Sequence, residues 1–345
     1  MQILLHFLVL CFILQTTCFL VSNAVECKTS SDPSKVAYTI TVSQSGDANF
    51  TTVTDALNYI PSGNDRWIKI LLKPGTYKEK ILINEKECIF LEGSDRSTTT
   101  ITFDAHNSTM GSITFFVTVD NFLAKGITFK NSYNRALVAN QEPVANPDPI
   151  PCVAFGSFGD KHAFYSCGFE GYQDTLWDQK GRHYFKSCYI EGAVDFIFGN
   201  GQSVYEQCAL NVTGGGFITA QNRELANDPS GYVFRGCEVS GTGHGDLGRA
   251  YGSFSRVIFI DSKLSNVVDP GGWNIWRQHG HEIPVMLTPN DTPNDVTYAE
   301  VNCTGPGADT SKRVPWMKKL QGSDLQHYTT QAFIDQDGWI AKQPI

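Results

Sequence analysis

Two aspartates occupy segments where solubility calls for none. Asp174 lies in GYQDTLWDQ at 171–179 and Asp195 in EGAVDFIFGN at 191–200, 21 residues further on. Carboxylates among aromatic and aliphatic residues carry a desolvation cost unless they are paired or used. If these two lie side by side, both cannot ionise comfortably, and one pKa must rise. That arrangement suits a general acid beside a nucleophile or base. The residue types alone leave two other readings open. The aspartates could cap turns or bind backbone amides, and paired carboxylates also cleave glycosidic bonds.

The elements that would bring the two together are short strands. WIKILL (67–72), KEKILI (78–83), CIFLEG (88–93), TTITFD (99–104) and SITFFVTV (112–119) are β-branched and aromatic, bounded by Gly, Asp and Asn turns. A helical period appears clearly in TTVTDALNYI, 51–60, where Val53, Ala56, Leu57 and Ile60 share one face. A phrase then recurs: GITFKNS (126–132), SCGFEGY (166–172), SCYIEGA (187–193), QCALNVT (207–213), GCEVSGT (236–242) and, more loosely, DSKLSNV (261–267). Its cysteines, Cys167, Cys188, Cys208 and Cys237, are separated by 21, 20 and 29 residues.

Such a period predicts a solenoid in which each repeat is one lap of a coil. A β-sandwich of many short strands is the alternative, but a right-handed parallel β-helix accounts better for the even phrasing. On that coil Asp174 and Asp195 hold equivalent places on adjacent laps, roughly 4.8 Å apart in the strand-to-strand direction.

Composition limits the function classes. The chain has 345 residues, 41% hydrophobic and 18% charged, with a formal net charge of -8. That balance argues against nucleic-acid binding through phosphate neutralisation. Glycine, at 31 residues, follows no triplet period, which excludes collagen. Residues 3–21 are almost wholly apolar, and the small residues at Ser22 and Ala24 suit signal-peptide cleavage. The expected organisation is a signal peptide at 1–24, a short lead at 25–37 and a single domain at 38–345; an uncleaved anchor is the alternative, because the basic n-region of a signal peptide is missing. Cleavage removes Cys11 and Cys18 and leaves eight cysteines, enough for one to three disulfides in an oxidising compartment. Sequons at Asn49, Asn107, Asn211, Asn290 and Asn302 fit a glycosylated secreted protein. The histidines are scattered or grouped as HGH at 279–281, and neither they nor the cysteines have zinc-site spacing, so no metal or cofactor is expected.

Three blocks, GYQDTLWDQ, EGAVDFIFGN and LGRAYGSFSR (247–256), closely resemble signature blocks of plant pectinesterases (pectin methylesterases). The likeness extends through SGDANFTTVTDALNYIP (45–61), KPGTYKEKI (73–81), GITFKNS, DPGGWNIW (269–276), YAEVNCTGPGADTSKRVPW (298–316) and AFIDQDGWI (332–340). The resemblance implies an all-β, pectin-lyase-like parallel β-helix with one short N-terminal helix, in the short form without an inhibitor-like pro-region. It also implies hydrolysis of the C6 methyl esters of homogalacturonan, releasing methanol, in the plant cell wall.

Carried over block by block, the resemblance makes Asp195 the nucleophile and Asp174 the acid, then base. Arg249 would hold Asp195 ionised, and Gln173 would donate to the oxyanion. Tyr172, Phe196, Tyr251 and Trp273 would contact sugar rings. It favours a Cys208–Cys237 disulfide and leaves Cys88, Cys152, Cys167, Cys188 and Cys303 open. Implied partners are methyl-esterified homogalacturonan and a proteinaceous inhibitor, with the protein itself a monomer.

The chain departs from the family pattern at three places. Pro151 occupies the position of a glutamine that supplies a second oxyanion donor, and proline offers neither a side-chain donor nor a backbone N–H. Ala193 replaces a hydroxyl residue, and Ala250-Tyr251 replaces Pro-Trp. Those departures leave a weakened or inactive pectin-binding wall protein as the alternative function.

Overall fold

The computed structural model describes residues 26–28, 36–133, 150–275 and 295–345. The leader at 1–24, the HGH segment and Asn290 lie outside them. Strands dominate, and they pair in parallel into three sheets of ten, eight and eight strands. One lap takes a strand from each: His162–Tyr165, Gly168–Glu170 and Leu176–Asp178, after which Arg182–Lys186 re-enters the first sheet beside His162–Tyr165. The chain is thus a parallel β-helix, and the recurring sequence phrase falls on successive neighbours of a single sheet. The expected short helix forms at Val53–Tyr59, with the Thr52 side chain accepting from the Asp55 amide at its start.

In-register stacking explains the core. Phe164, Phe185, Tyr205, Phe234 and Phe259 occupy matching positions on successive strands of the ten-stranded sheet. Their rings stack at centroid spacings of 4.6, 4.5, 4.5 and 4.4 Å. Each parallel pair places like beside like, so one aromatic per lap builds a continuous column.

The turn before each Cys of the repeat phrase is left-handed. Ser166, Ser187, Gln207 and Gly236 have φ of 50°, 53°, 53° and 58°. That twist turns the following cysteine inward, and Cys167, Cys188, Cys208 and Cys237 are all buried.

The expected Cys208–Cys237 disulfide is not formed. Both residues are free thiols, and the bond present joins Cys27 to Cys88. Parallel in-register stacking keeps neighbouring Cβ atoms about a strand spacing apart, roughly 4.8 Å, wider than the Cβ separation of about 3.5–4.5 Å that a disulfide needs. The sulfurs instead donate to backbone carbonyls, Cys208 to Phe185 at 3.5 Å and Cys237 to Tyr205 at 3.2 Å.

The ten-stranded sheet is apolar on its outer face as well. Trp67, Phe90, Leu123, Tyr184 and Ile258 form a second cluster there, closed by Phe333, Ile334 and Trp339 from the C-terminal segment. Two short helices in that segment, Ser323–Gln326 and Thr330–Phe333, are too brief to show a period in the sequence. Among the described residues, no helix is long and apolar enough to cross a membrane.

Candidate active site

Asp174 and Asp195 sit in matching turns of adjacent laps. Gln173 bridges Val194 in parallel, and the Asp174 amide donates to the Val194 carbonyl at 3.0 Å. Both aspartates take the left-handed region, with φ of 60° and 48°, which Asp tolerates better than most residues. Each turn ends where a strand begins, Leu176–Asp178 after the first and Ile197–Gly199 after the second. Asp178 anchors the first strand from inside, accepting from His183 at 2.5 Å and from the Tyr205 hydroxyl at 2.5 Å. Burial works against charge on His183, yet the Asp178 carboxylate, together with the Gly159 carbonyl and Asp160, raises the imidazole above its usual value.

The two carboxylates differ in their surroundings. Asp174 is 8% exposed and Asp195 5%. Burial, reinforced by the neighbouring Asp195 charge and opposed by Arg249, pushes Asp174 up to about 8. Asp195 is also lifted by burial, but the Arg249 guanidinium pulls it back. Arg249 Nε donates to Asp195 Oδ1 at 2.8 Å and Nη2 donates to Oδ2, a fork-on-fork pair that favours the ionised carboxylate. The Arg249 guanidinium also lies 4.4 Å from the centre of the Phe217 ring. The geometry therefore sets an acid that keeps its proton near neutral pH next to a carboxylate held by a cation.

Both open into a cleft of about 590 Å³, together with Gln173, Arg249 and Tyr251. The Gln173 carboxamide oxygen is buried without a hydrogen-bond partner among the described residues, so the cleft does not tie that group down. Tyr251 is 45% exposed at the rim. Tyr172 is half-buried and is not part of the cleft lining; its hydroxyl end lies over Gly214, where an added Cβ would come within 2.6 Å of it.

Two expected sugar contacts are corrected. Phe196 is 0% exposed, because the left-handed turn at Asp195 sends the next side chain inward. Trp273 is 2% exposed; it pairs in register with the inward Gly248, packs 4.6 Å from Tyr298 and donates its indole N–H to Glu300 at 3.1 Å.

The cleft instead presents Trp177 and Phe198, with Thr109, Gln179 and Asn222 around them. The two rings stack at 5.1 Å, and Trp177 Nε1 donates to Gln179 at 2.9 Å. A signal for them stood in the sequence. Trp177 and Phe198 each follow their aspartate by three residues and repeat its 21-residue spacing. Among the described residues, no group of three or more His, Cys, Asp or Glu side chains is placed to hold a metal ion.

Comparison with known proteins adds a second line of support. A sequence model of the Pectinesterase family matches residues 39–337. The chain is 44% identical over 336 residues to Probable pectinesterase 55 of Arabidopsis thaliana, covering 95% of each chain. It is 45% identical over 312 residues to Probable pectinesterase 29 of the same plant, covering 88% of this chain and 89% of the relative. Among solved structures, it superposes on a pectin methylesterase from carrot with a TM-score of 0.76 and 28% identity, over 91% of this chain and 97% of that one.

Proposed function

The chain belongs to the pectinesterase family, and from that premise and the site geometry we propose how it works. It hydrolyses methyl esters of pectin. The Asp195 carboxylate attacks the C6 ester carbonyl, and the Gln173 side-chain N–H donates to the oxyanion that forms. Asp174 gives its proton to the departing methoxide, so methanol leaves and an acyl anhydride on Asp195 remains. Asp174, now ionised, takes a proton from water as that water attacks the anhydride. Water's O–H ends in a galacturonic acid that releases its proton to solvent, while Asp195 leaves as a carboxylate and Asp174 is protonated again.

The observation that carries this reading is the fork-on-fork pairing of Arg249 with Asp195 beside a buried, proton-retaining Asp174. An inactive pectin-binding protein would have no use for that division of charge, so the wall-binding alternative is not favoured. Glycosidic hydrolysis is separated from ester hydrolysis by its product. Pectin treated with the protein should keep its chain length and lose one methyl per uronate formed, read together by size-exclusion chromatography and proton titration. Chain shortening would overturn the assignment.

The same reading carries its setting. The segment 1–24 acts as a cleaved signal peptide, and the mature catalytic chain from about Val25 works as a monomer in the plant cell wall. Asn49, Asn107 and Asn302 are exposed, and glycans attach at sequons of this kind. A proteinaceous inhibitor that covers the cleft is a fitting partner.

A further inference from the structure

The outer face of the sheet that carries the site contains one continuous register row. Leu82, Phe116, Gly156, Trp177, Phe198, Ala220 and Arg249 stand directly beside one another on successive strands. No charged residue occupies the row before Arg249. Gly156 leaves room for a neighbour: a Cβ there would meet the Phe116 ring at 3.0 Å. Phe158, from the turn after Gly156, fills the step. Phe116 meets Phe158 edge-on at 4.9 Å, Phe158 meets Trp177 edge-on at 5.0 Å, and Trp177 stacks on Phe198. Leu82 extends the stripe and is 53% exposed; Met110, beside the cleft residue Thr109, is 49% exposed.

We propose that Leu82, Phe116 and Phe158 continue the cleft as a binding track for methyl-esterified galacturonate residues. The proposal rests on the reading under Proposed function. The track runs along the coil axis from the catalytic laps toward the N-terminal ones. The stripe is continuous with the cleft through Trp177 and Phe198, so a polymer held at Asp195 meets it without a gap. Its chemistry selects the occupant. A free uronate carboxylate laid on an uncharged aromatic stripe would lose hydration with no cation in the row to replace it. A methyl ester carries no charge and adds an apolar group to bury. The track therefore favours polymer that is still esterified on the N-terminal side of the reacting ring, and binding should weaken as those esters are removed. From the Asp195 lap to the Leu82 lap is four strand spacings, roughly 19 Å, beyond the reach of a trimer bound at the carboxylates.

The test uses Leu82→Glu, whose exposed site tolerates the change, and Phe116→Ala. Kinetics on a fully esterified octamer and a fully esterified trimer are paired with calorimetric binding of the same ligands in an Asp195→Asn background that spares the ester. The expected result is a KM raised about fivefold or more on the octamer with kcat unchanged, trimer kinetics unaltered, and octamer binding weakened by the same factor. Octamer kinetics and binding equal to the parent in Leu82→Glu would overturn the track. An equal loss on trimer and octamer would also overturn it, since that marks a structural effect. If the parent releases no methanol yet octamer binding still depends on Leu82, the esterase reading fails and the track stands.

Discussion

Asp174 and Asp195 adopt the same left-handed turn on adjacent laps, yet only Asp195 accepts both arms of the Arg249 guanidinium in the pairing that the structure defines. Equivalent backbone positions thus hold carboxylates with different proton affinities. The solenoid supplies the proximity, and a third lap supplies the cation that breaks the symmetry.

The first consequence is a pH profile. The proposed reaction needs Asp174 protonated and Asp195 ionised, so kcat/KM should fall as pH rises through about 8, the value to which burial pushes Asp174. On the acid side, activity should fall as Asp195 takes up a proton, with burial shifting that limb upward and Arg249 opposing the shift. Asp174→Asn should lower kcat by about 10²–10⁴-fold. A basic limb that persists in a residually active Asp174→Asn variant would assign it to another group.

Stability should carry the same signature. The native Asp174 pKa is raised, so the folded chain binds more protons than the unfolded chain between about pH 4 and 8. Its stabilising contribution is fully present below the unfolded pKa and is lost as pH rises through the native one. Asp174→Asn should therefore flatten the decline over that window, gaining on the order of a few kcal/mol at pH 9 relative to the parent. Denaturant melts at pH 5 and pH 9 would check it, and a parallel decline in both proteins would refute it.

Oxyanion stabilisation falls on Gln173 in this account, because Pro151 has no donor. Gln173→Ala should cost about 10²–10³-fold in kcat, and Pro151→Gln should raise kcat by about tenfold or more if the new amide reaches the oxyanion. Steady-state methanol release gives both numbers. A Pro151→Gln rate no higher than the parent would mean that another cleft group already does this work.

Denatured but unreduced mature protein should titrate six thiols, those of Cys152, Cys167, Cys188, Cys208, Cys237 and Cys303. A count of four would show a second disulfide among these six cysteines. The Cys27–Cys88 disulfide closes a 61-residue separation, so its reduction should destabilise the protein by about 4 kcal/mol on chain-entropy grounds.

Much of this was legible in the sequence, and the misses share a cause. The lap length showed in the cysteine phrase, and with it the adjacency of Asp174 and Asp195. Lap length fixes which residues are neighbours along the axis. It does not fix which way each one points, because that depends on the left-handed residues at the corners. Phe196 follows such a corner and turns inward, while in the strands that start after each corner Leu176 and Ile197 face the core and the next residues, Trp177 and Phe198, face the cleft. Trp273 looked like a sugar platform until its register with Gly248 placed it in the core. The disulfide was misplaced for a related reason. Cys208 and Cys237 are neighbours along the axis, but parallel stacking holds their side chains alongside each other, while Cys27 reaches Cys88 from a lead segment that no repeat marks.

Methanol release from highly methyl-esterified pectin, measured for the mature chain beside its Asp195→Ala form, tests the central claim most directly. The account predicts steady release by the parent and none above background from the variant, with both proteins folded by circular dichroism. Release by a folded Asp195→Ala protein at a rate near the parent's would contradict it, as would a folded parent that releases no methanol between pH 5 and 9.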